Sequence, residues 1–394
     1  MRKLLTSVAA LALLASVQPQ AQAQVTEEFR LGLLVILSGP LAVIGNEHKR
    51  GAEIALEHLG GKIAGRPTKL LEGDSKANPD VAVQQASKLI DKDKIHMVTG
   101  LDVSNVLMAT VGPFTKAGIF VIGANAGPSP LAGKGCNPDF FGVGFQNDTW
   151  SGSMGTYMTN AGIKSAYFLG MDYQAGWDHV GAAEKNFKGK VLGKVFTPLA
   201  QLDFAAEIAK VREAKPEALF IFYVGGAGIN FVKQFAQSGL NKTIKLMGPS
   251  AIADPLLFDA QGDAALGITV NGPWNPQMDN PESKKFVATY VAQNKREPTA
   301  YAAQQYDAIM LIDSAMKTVG GDHTKRDALR AAFLKADFKS VRGKFKFNAN
   351  HFPTQDFWVQ RVEKNAQGKL YHKLIGIAAA DVTDPYLPEC KMPK

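Results

Sequence analysis

Long apolar runs are scarce in this sequence, and the one that stands out lies at the N-terminus. Two basic residues precede an apolar run over residues 4–17, and Ala21-Gln22-Ala23 follows it. A membrane-spanning helix needs about 20 apolar residues, so this run is too short to be one. A basic start, a short apolar stretch and a small-residue cleavage site are typical of a secretory signal peptide. We therefore predict a signal peptide over residues 1–23, a mature chain that begins at Gln24, and a location outside the cytoplasm.

Cysteine is also rare, because the chain contains only Cys136 and Cys390. Two cysteines in a compartment that permits disulfides predict one bond between them, and two unpaired thiols are the alternative. The bond would tie a C-terminal tail to a glycine-rich loop about 250 residues earlier in the chain.

Clustered charge and catalytic motifs are missing as well. The 44 basic and 36 acidic residues are interspersed, so no nucleic-acid surface is predicted. The seven histidines show no metal-ligand spacing, and the motifs of zinc proteases, serine hydrolases and P-loop enzymes do not occur. A Gly226-Ala227-Gly228 stretch follows a predicted strand, but Phe231 stands where a dinucleotide site needs a third glycine. We predict no catalytic residue, metal or cofactor, and a secreted α/β enzyme is the alternative from another class.

Apolar strands and amphipathic helices alternate along the chain, which predicts parallel, doubly wound α/β sheets. The first β-rich run, residues 29–37, is apolar almost throughout, as expected for a strand buried on both faces. The pattern restarts after residues 140–143, so two similar α/β halves follow one another. The predicted strands are 29–37, 69–72, 95–99, 119–122, 165–169, 190–196, 218–223, 244–247 and 267–270, and the predicted helices are 46–59, 79–91, 103–116, 150–161, 177–187, 204–213 and 229–238.

The remaining segment does not form a third domain of its own. Its pattern predicts helices at 282–294, 301–319 and 326–335, followed by strands at 345–347 and 357–362. If the helices complete the first half and the strands the second, the chain crosses between lobes near residues 145, 271 and 348. Three parallel crossings form a hinge. We predict lobe 1 at 24–145 plus 272–348 and lobe 2 at 146–271 plus 349–394, in line with the length of the chain.

Several motifs, in their order and spacing, resemble the periplasmic leucine/isoleucine/valine-binding protein family, the type I solute receptors of ABC importers. The similarity covers nearly all of the mature chain. The residues that carry it are Leu37-Ser38-Gly39-Pro40, Arg50-Gly51-Ala52-Glu53-Ile54-Ala55, Asp74 with Asn78-Pro79, Thr99-Gly100-Leu101-Asp102-Val103-Ser104, Tyr223-Val224-Gly225-Gly226, Gln237-Ser238-Gly239-Leu240 and Met247-Gly248-Pro249.

The resemblance implies a periplasmic, bilobed, monomeric receptor, which encloses a small solute between its lobes and then docks on a membrane permease. Ligands of open α/β sheets bind beyond the carboxyl ends of the strands, where helix N-termini offer free N–H groups. A soluble sensor that contacts a separate membrane receptor is a further alternative, because the same fold serves that role.

In the first lobe, the resemblance places the ligand's carboxylate on two loops. Asp102 and Ser104 lie at the start of the helix after strand 95–99, and Ser104 supplies the hydroxyl that matches the family's carboxylate ligand. Asn125, Ala126 and Gly127 occupy the family's second carboxylate loop. For Ser104 and Asp102 a simple capping role is the alternative, and for the second loop a turn chosen only for backbone freedom.

In the second lobe, Tyr173 matches the family's tyrosine loop that closes over the ligand, where the ring covers an apolar group. Gly226 matches a loop whose backbone comes close to the solute. Ser38, at the end of the first strand, and Ser250, directly after Gly248-Pro249, complete the predicted set of nine ligand-binding residues. Trp150 and Trp177 are weaker candidates, because a large aromatic at a helix start usually packs in the core.

Ser250 is the main departure from the family pattern. Amino-acid receptors of this family carry an acidic residue just after the Gly-Pro pair, and here Ser250 follows Gly248-Pro249. A buried ammonium group without an anionic partner costs several kcal/mol, so a ligand without an α-amino group is favoured. We therefore predict a small hydrophobic or aromatic carboxylate as ligand. Because Asp254 or Asp102 could accept an ammonium group instead, a branched-chain or other hydrophobic amino acid is the alternative.

Overall fold

A computed structural model describes residues 27–392, so the predicted signal peptide and its cleavage site lie outside the described residues. The strands are β1 Phe29–Val35, β2 Lys62–Ile63, β3 Arg66–Asp74, β4 Met97–Gly100, β5 Phe120–Gly123, β6 Phe140–Gly142, β7 Ser165–Met171, β8 Lys190–Thr197, β9 Ala218–Phe222, β10 Lys245–Pro249, β11 Thr269–Gly272, β12 Lys346–Phe347, β13 Pro353–Lys364 and β14 Leu370–Val382. The helices are α1 Ala42–His58, α2 Pro79–Ser87, α3 Ser104–Lys116, α4 Ser129–Ala132, α5 Asn147–Asn160, α6 Gln174–Asn186, α7 Ala205–Ala214, α8 Gly225–Gln237, α9 Phe258–Gln261, α10 Pro281–Asn294, α11 Ala300–Thr318 and α12 Arg326–Lys335.

The strands form two separate sheets. The first has six strands in the order β2-β3-β1-β4-β5-β6, and all its pairs are parallel except β2 with β3. The second has eight strands, with β8-β7-β9-β10-β11 parallel and the late strands β12, β13 and β14 added in antiparallel fashion. The predicted fold class, two doubly wound α/β lobes, is confirmed.

Each sheet is the centre of its own core. On one face of the first sheet, Phe29 of β1 packs with Phe286, Ile309 and Phe333 from the three late helices α10, α11 and α12. The other face packs against α2 and α3, and the second sheet has a core of its own around Phe220 of β9. The late helices therefore belong with the first sheet and the late strands with the second. The exact lobe bounds and the three crossing points remain predictions.

Some elements differ from the sequence-based expectation. Helices α5, α6 and α8 begin at Asn147, Gln174 and Gly225, each several residues before the predicted start, because their first turns are polar or glycine-rich and show no apolar period. Strand β14 was not predicted. It pairs with β13, and its apolar residues are divided between a buried and an exposed face, so hydrophobicity alone did not mark it as a strand.

The predicted bond between Cys136 and Cys390 is present, with the two Cα atoms 5.6 Å apart. Cys136 follows α4 in the first lobe, whereas Cys390 lies in a tail that follows β14 of the second sheet. The bond therefore ties the tail that follows the second sheet to the first lobe. Every helix within residues 27–392 is too short or too polar to cross a lipid bilayer.

Candidate functional site

The carboxyl ends of strands from both sheets meet around one cavity of about 30 Å³. The segments after β4 and β5 approach it from the first lobe, and those after β7, β9 and β10 approach it from the second. This is where the topology of open α/β sheets places ligand sites. The lining residues are Ile44, Asp102, Val103, Ser104, Asn125, Ala126, Phe145, Asn147, Trp150, Tyr173, Ala175, His179, Phe222, Val224, Ala251 and Tyr301.

Ser104 presents hydrogen-bond donors from the first lobe. It is the first residue of α3, it is buried, and the residue before it, Val103, has an extended backbone and provides no side-chain cap. The N–H of Val106 donates to Asn105 Oδ1 at 3.1 Å, whereas the N–H groups of Ser104 and Asn105 have no helical partner and favour an anion. The Ser104 hydroxyl oxygen accepts a hydrogen bond of 3.2 Å from Nδ2 of Asn147, which leaves its proton available for donation. This end of the cavity is suited to a carboxylate.

Asp102 lines the same wall, but its two carboxylate oxygens already have partners. Oδ2 accepts a hydrogen bond of 2.6 Å from the backbone N–H of Ile36, and Oδ1 contacts Nδ1 of the buried His48. The His48 ring in turn packs edge-on against Tyr301, with 5.7 Å between the ring centroids. Asp102 therefore connects the end of β1 to α1, and it is already paired when a ligand arrives.

Asn125 places one amide group at the cavity wall. Its Nδ2 donates a hydrogen bond of 2.5 Å to the backbone oxygen of Asp102, and this contact fixes the orientation of the amide. Within residues 27–392 its Oδ1 has no hydrogen-bond partner. Asn125 therefore offers an acceptor, whereas the neighbouring Ala126 contributes only apolar surface.

Aromatic rings form most of the opposite wall. His179 stacks on Phe222 with 4.0 Å between centroids, and Phe222 lies against Tyr173 at 6.4 Å. Trp150 and Phe145 extend the wall, in edge-to-face contact at 4.3 Å. The Nδ1 atom of His179 is 2.6 Å from the Ser151 hydroxyl, and burial lowers the pKa of His179 to about 3, so the ring is neutral at physiological pH. This wall suits a flat apolar group.

Five of the nine predicted ligand residues line this cavity: Asp102, Ser104, Asn125, Ala126 and Tyr173. Two others, Ser38 and Gly226, line a second, outer cavity of about 290 Å³ at the mouth of the cleft.

The remaining two predicted residues lie elsewhere. Gly127 packs its backbone against the oxygen of Phe145, where an added Cβ would be only 2.0 Å away. Ser250 lines a separate cavity of about 10 Å³, and an added Cβ on Gly272 would be 2.8 Å from its hydroxyl oxygen. The short helical turn that begins at Ser250 points this side chain away from the cleft, and Ala251 faces the cleft instead.

Most of the aromatic wall was not predicted from the sequence. Trp150 was only a weak candidate, and Phe145, His179 and Phe222 were not proposed. The other weak candidate, Trp177, is half-exposed and hydrogen-bonded to Asp172, away from the cavity. No sequence signal separates a ring in a cleft from a ring in a core. Within residues 27–392, no group of three or more His, Cys, Asp or Glu side chains is arranged to hold a metal ion.

The family model for periplasmic binding proteins matches residues 28–368. The chain belongs to this family. Among curated relatives of this periplasmic binding protein is the Leu/Ile/Val-binding protein homolog 6 of Brucella melitensis, 25% identical over 378 residues that cover 93% of this chain and 95% of the relative. Relatives of this kind confirm the family resemblance deduced from the sequence.

Solved structures give the same fold. An ABC-transporter solute-binding protein from R. palustris, in complex with benzoate, is 33% identical with a TM-score of 0.87, over 93% of this chain and all of the other. A solute-binding protein from Rhodopseudomonas palustris BisB5, in complex with 3,4-dihydroxybenzoic acid, is 29% identical with a TM-score of 0.83, over 91% and 99% of the two chains. The periplasmic binding proteins of ABC transporters to which this chain is similar are solute-binding proteins and not enzymes.

Proposed function

We propose that this chain is the periplasmic receptor of an ABC importer and that it binds a small aromatic or hydrophobic carboxylate between its lobes. The observation that carries the proposal is the arrangement of one cavity: the N-terminus of α3 with the Ser104 hydroxyl on one side, and stacked rings on the other. A carboxylate fits the first wall and an aromatic ring fits the second.

The charges around the cavity support a ligand without an ammonium group. Asp102 is the one carboxylate that lines the cavity within the described part of the chain, and it is paired with His48 and Ile36. Ala251 rather than Ser250 faces the cleft after the Gly248-Pro249 pair, and it carries no charge. The bound benzoate and dihydroxybenzoate of the similar solute-binding proteins support the same ligand class.

Entry of such a ligand requires the lobes to move. A cavity of roughly 150 Å³ is known to take up benzene, and the cavity between the lobes holds only about 30 Å³. We infer a hinge motion in which the lobes separate, admit the acid and close over it, since differential affinity for the closed form drives such a change. Secretion through cleavage near Ala23 and delivery to a membrane permease complete the proposal.

A branched-chain or other hydrophobic amino acid is the second candidate. The free Oδ1 of Asn125 favours it, because this acceptor lies on the same wall as Ser104 and could bind an α-amino N–H. The curated relatives bear the name of leucine, isoleucine and valine binding. A single neutral acceptor is weaker than a carboxylate for a buried ammonium group, so we place this candidate second.

Calorimetric titration of the mature protein with benzoate, benzamide and leucine tests the proposal. Benzamide is the matched control, because it has the size of benzoate without its charge. We expect about micromolar affinity for benzoate and at least a tenfold weaker affinity for benzamide, since hydrogen bonds to a charged group contribute about 1.5–3 kcal/mol. Tight binding of leucine with no response to aromatic acids would contradict the proposal.

A further inference from the structure

Asp178 on α6 is a buried carboxylate that does not line the ligand cavity, and within residues 27–392 it forms no ion pair. A buried charge without a counter-ion is costly unless hydrogen bonds replace its lost solvation. Four donors do so here: the Ser129 backbone N–H at 3.0 Å, the Ser129 hydroxyl at 2.7 Å, Asn147 Nδ2 at 2.9 Å and Gln174 Nε2 at 2.8 Å.

Two of these hydrogen bonds join the lobes. Ser129 begins α4, whose Leu131 and Ala132 lie in the core of the first sheet. Helix α6, which carries Asp178, packs into the core of the second sheet through Val180. The contact between Ser129 and Asp178 therefore forms only when the lobes are together. When they separate, the carboxylate returns to water and Ser129 loses its acceptor.

Asn147 connects this contact to the ligand cavity. Its Nδ2 lies 2.9 Å from Asp178 and 3.2 Å from the Ser104 hydroxyl, and its Oδ1 accepts a hydrogen bond of 3.2 Å from the backbone N–H of Gly127. One amide group therefore touches the interlobe carboxylate and the hydroxyl proposed to bind the ligand. A ligand that draws the Ser104 proton toward itself leaves the Ser104 oxygen a better acceptor for Asn147 and reinforces the closed arrangement.

We propose that Asp178 is a positioning residue that holds the lobes closed through Ser129 and that Asn147 couples this contact to the ligand at Ser104. The ligand part of this inference rests on the proposed function. The loop that carries Ser129 is itself fixed to the C-terminal tail, because Asn350 Nδ2 donates to both the backbone oxygen of Ala132 and Asp384 Oδ2, at 2.8 Å each.

The test compares Asp178→Asn with Glu184→Gln in the full mature chain. Both substitutions turn a carboxylate of α6 into its amide, but Glu184 pairs with Lys194 inside the second lobe. We expect Asp178→Asn to raise the dissociation rate of benzoate at least tenfold and to change the association rate less than twofold, because only the closed form makes the contact. Ser129→Ala should act in the same direction with a smaller effect, and Glu184→Gln should act as the wild type does.

The distance between two spin labels, one on each lobe, is the second measurement. In the ligand-free chain, Asp178→Asn should enlarge the population with separated lobes. If wild-type protein does not bind benzoate, the proposed ligand class fails, and the distances still decide the role of Asp178. Equal distance distributions in the wild type and Asp178→Asn, or a dissociation rate within twofold of the wild type in both Asp178→Asn and Ser129→Ala, would overturn the inference.

Discussion

Gly225→Ala adds a single methyl group that should weaken ligand binding by an effect distinct from its effect on stability. It is the first residue of α8, with φ at +55°, and an added Cβ would be 2.6 Å from Cδ2 of Leu41 and 3.4 Å from the oxygen of Pro40. Leu41 and Pro40 follow β1 in the first lobe, whereas Gly225 follows β9 in the second. The clash in Gly225→Ala therefore exists only when the lobes are closed.

The size of the effect follows from the packing. Excess volume in a well-packed contact costs about 1–3 kcal/mol, and the atom that is struck here is the end of a flexible side chain, so we take about 1–2 kcal/mol. This corresponds to a Kd for benzoate that rises roughly 5- to 30-fold. The left-handed backbone of residue 225 adds about 1 kcal/mol of strain, but that strain is present whether the lobes are open or closed, so it lowers Tm and leaves Kd unchanged.

Gly239→Ala is the matched control, because Gly239 also has a left-handed backbone, at φ +76°, and an added Cβ meets nothing within 4 Å. Calorimetry with benzoate should show the loss of affinity in Gly225→Ala alone, while thermal melts show lower Tm in both variants. Leu41→Ala removes the struck atom, so the double variant with Gly225→Ala should bind as Leu41→Ala does. Equal affinities in Gly225→Ala and Gly239→Ala, or no recovery in the double variant, would refute the reasoning.

Three further results are expected. Ser104→Ala should weaken benzoate binding at least tenfold, because a hydrogen bond to a charged group is lost; calorimetry that finds an unchanged Kd would move the carboxylate site elsewhere. Replacing both Cys136 and Cys390 by serine should lower the free energy of unfolding by about 2–5 kcal/mol, and a urea midpoint equal to that of the wild type would contradict this. Burial and the charge of Asp178 raise the pKa of Asp148 from 3.8 to about 7, so the stability that this group contributes is fully present below pH 4 and is lost as the pH rises through 7. In Asp148→Asn the decline of Tm between pH 4 and 7 should be shallower, and identical pH profiles would show that the carboxyl is not shifted.

Most strands and helices could be predicted from local sequence patterns, but β14 could not. Buried strands such as β1 have continuous apolar runs, and helices such as α11 have apolar residues at helical spacing, so both could be predicted. In β14, however, Ile375 and Ile377 are 43% and 46% exposed, while His372 is buried. The pairing with β13 determines which side chains of β14 are buried, and this cannot be deduced from their hydrophobicity.

Some residues of the site could likewise be predicted from the sequence, and others could not. Ser104, Asn125 and Tyr173 directly follow strands, so topology alone brings them to the cleft. His179 lies inside α6, and its place in the cavity depends on how that helix packs against Phe222, which is a tertiary contact. A sequence pattern marks the ends of elements, and it does not show which face of a helix lies against a cleft.

The structure disfavours a ligand ammonium group through a different residue from the one that the sequence indicated. Ser250 lies in a separate cavity, and Ala251 faces the cleft. The stronger reason is the state of Asp102, whose oxygens are held by Ile36 and His48. A cationic ligand group would have to compete with both partners of Asp102, whereas a carboxylate at Ser104 meets free donors. The ligand class therefore depends on contacts behind the cleft wall that only the folded chain creates.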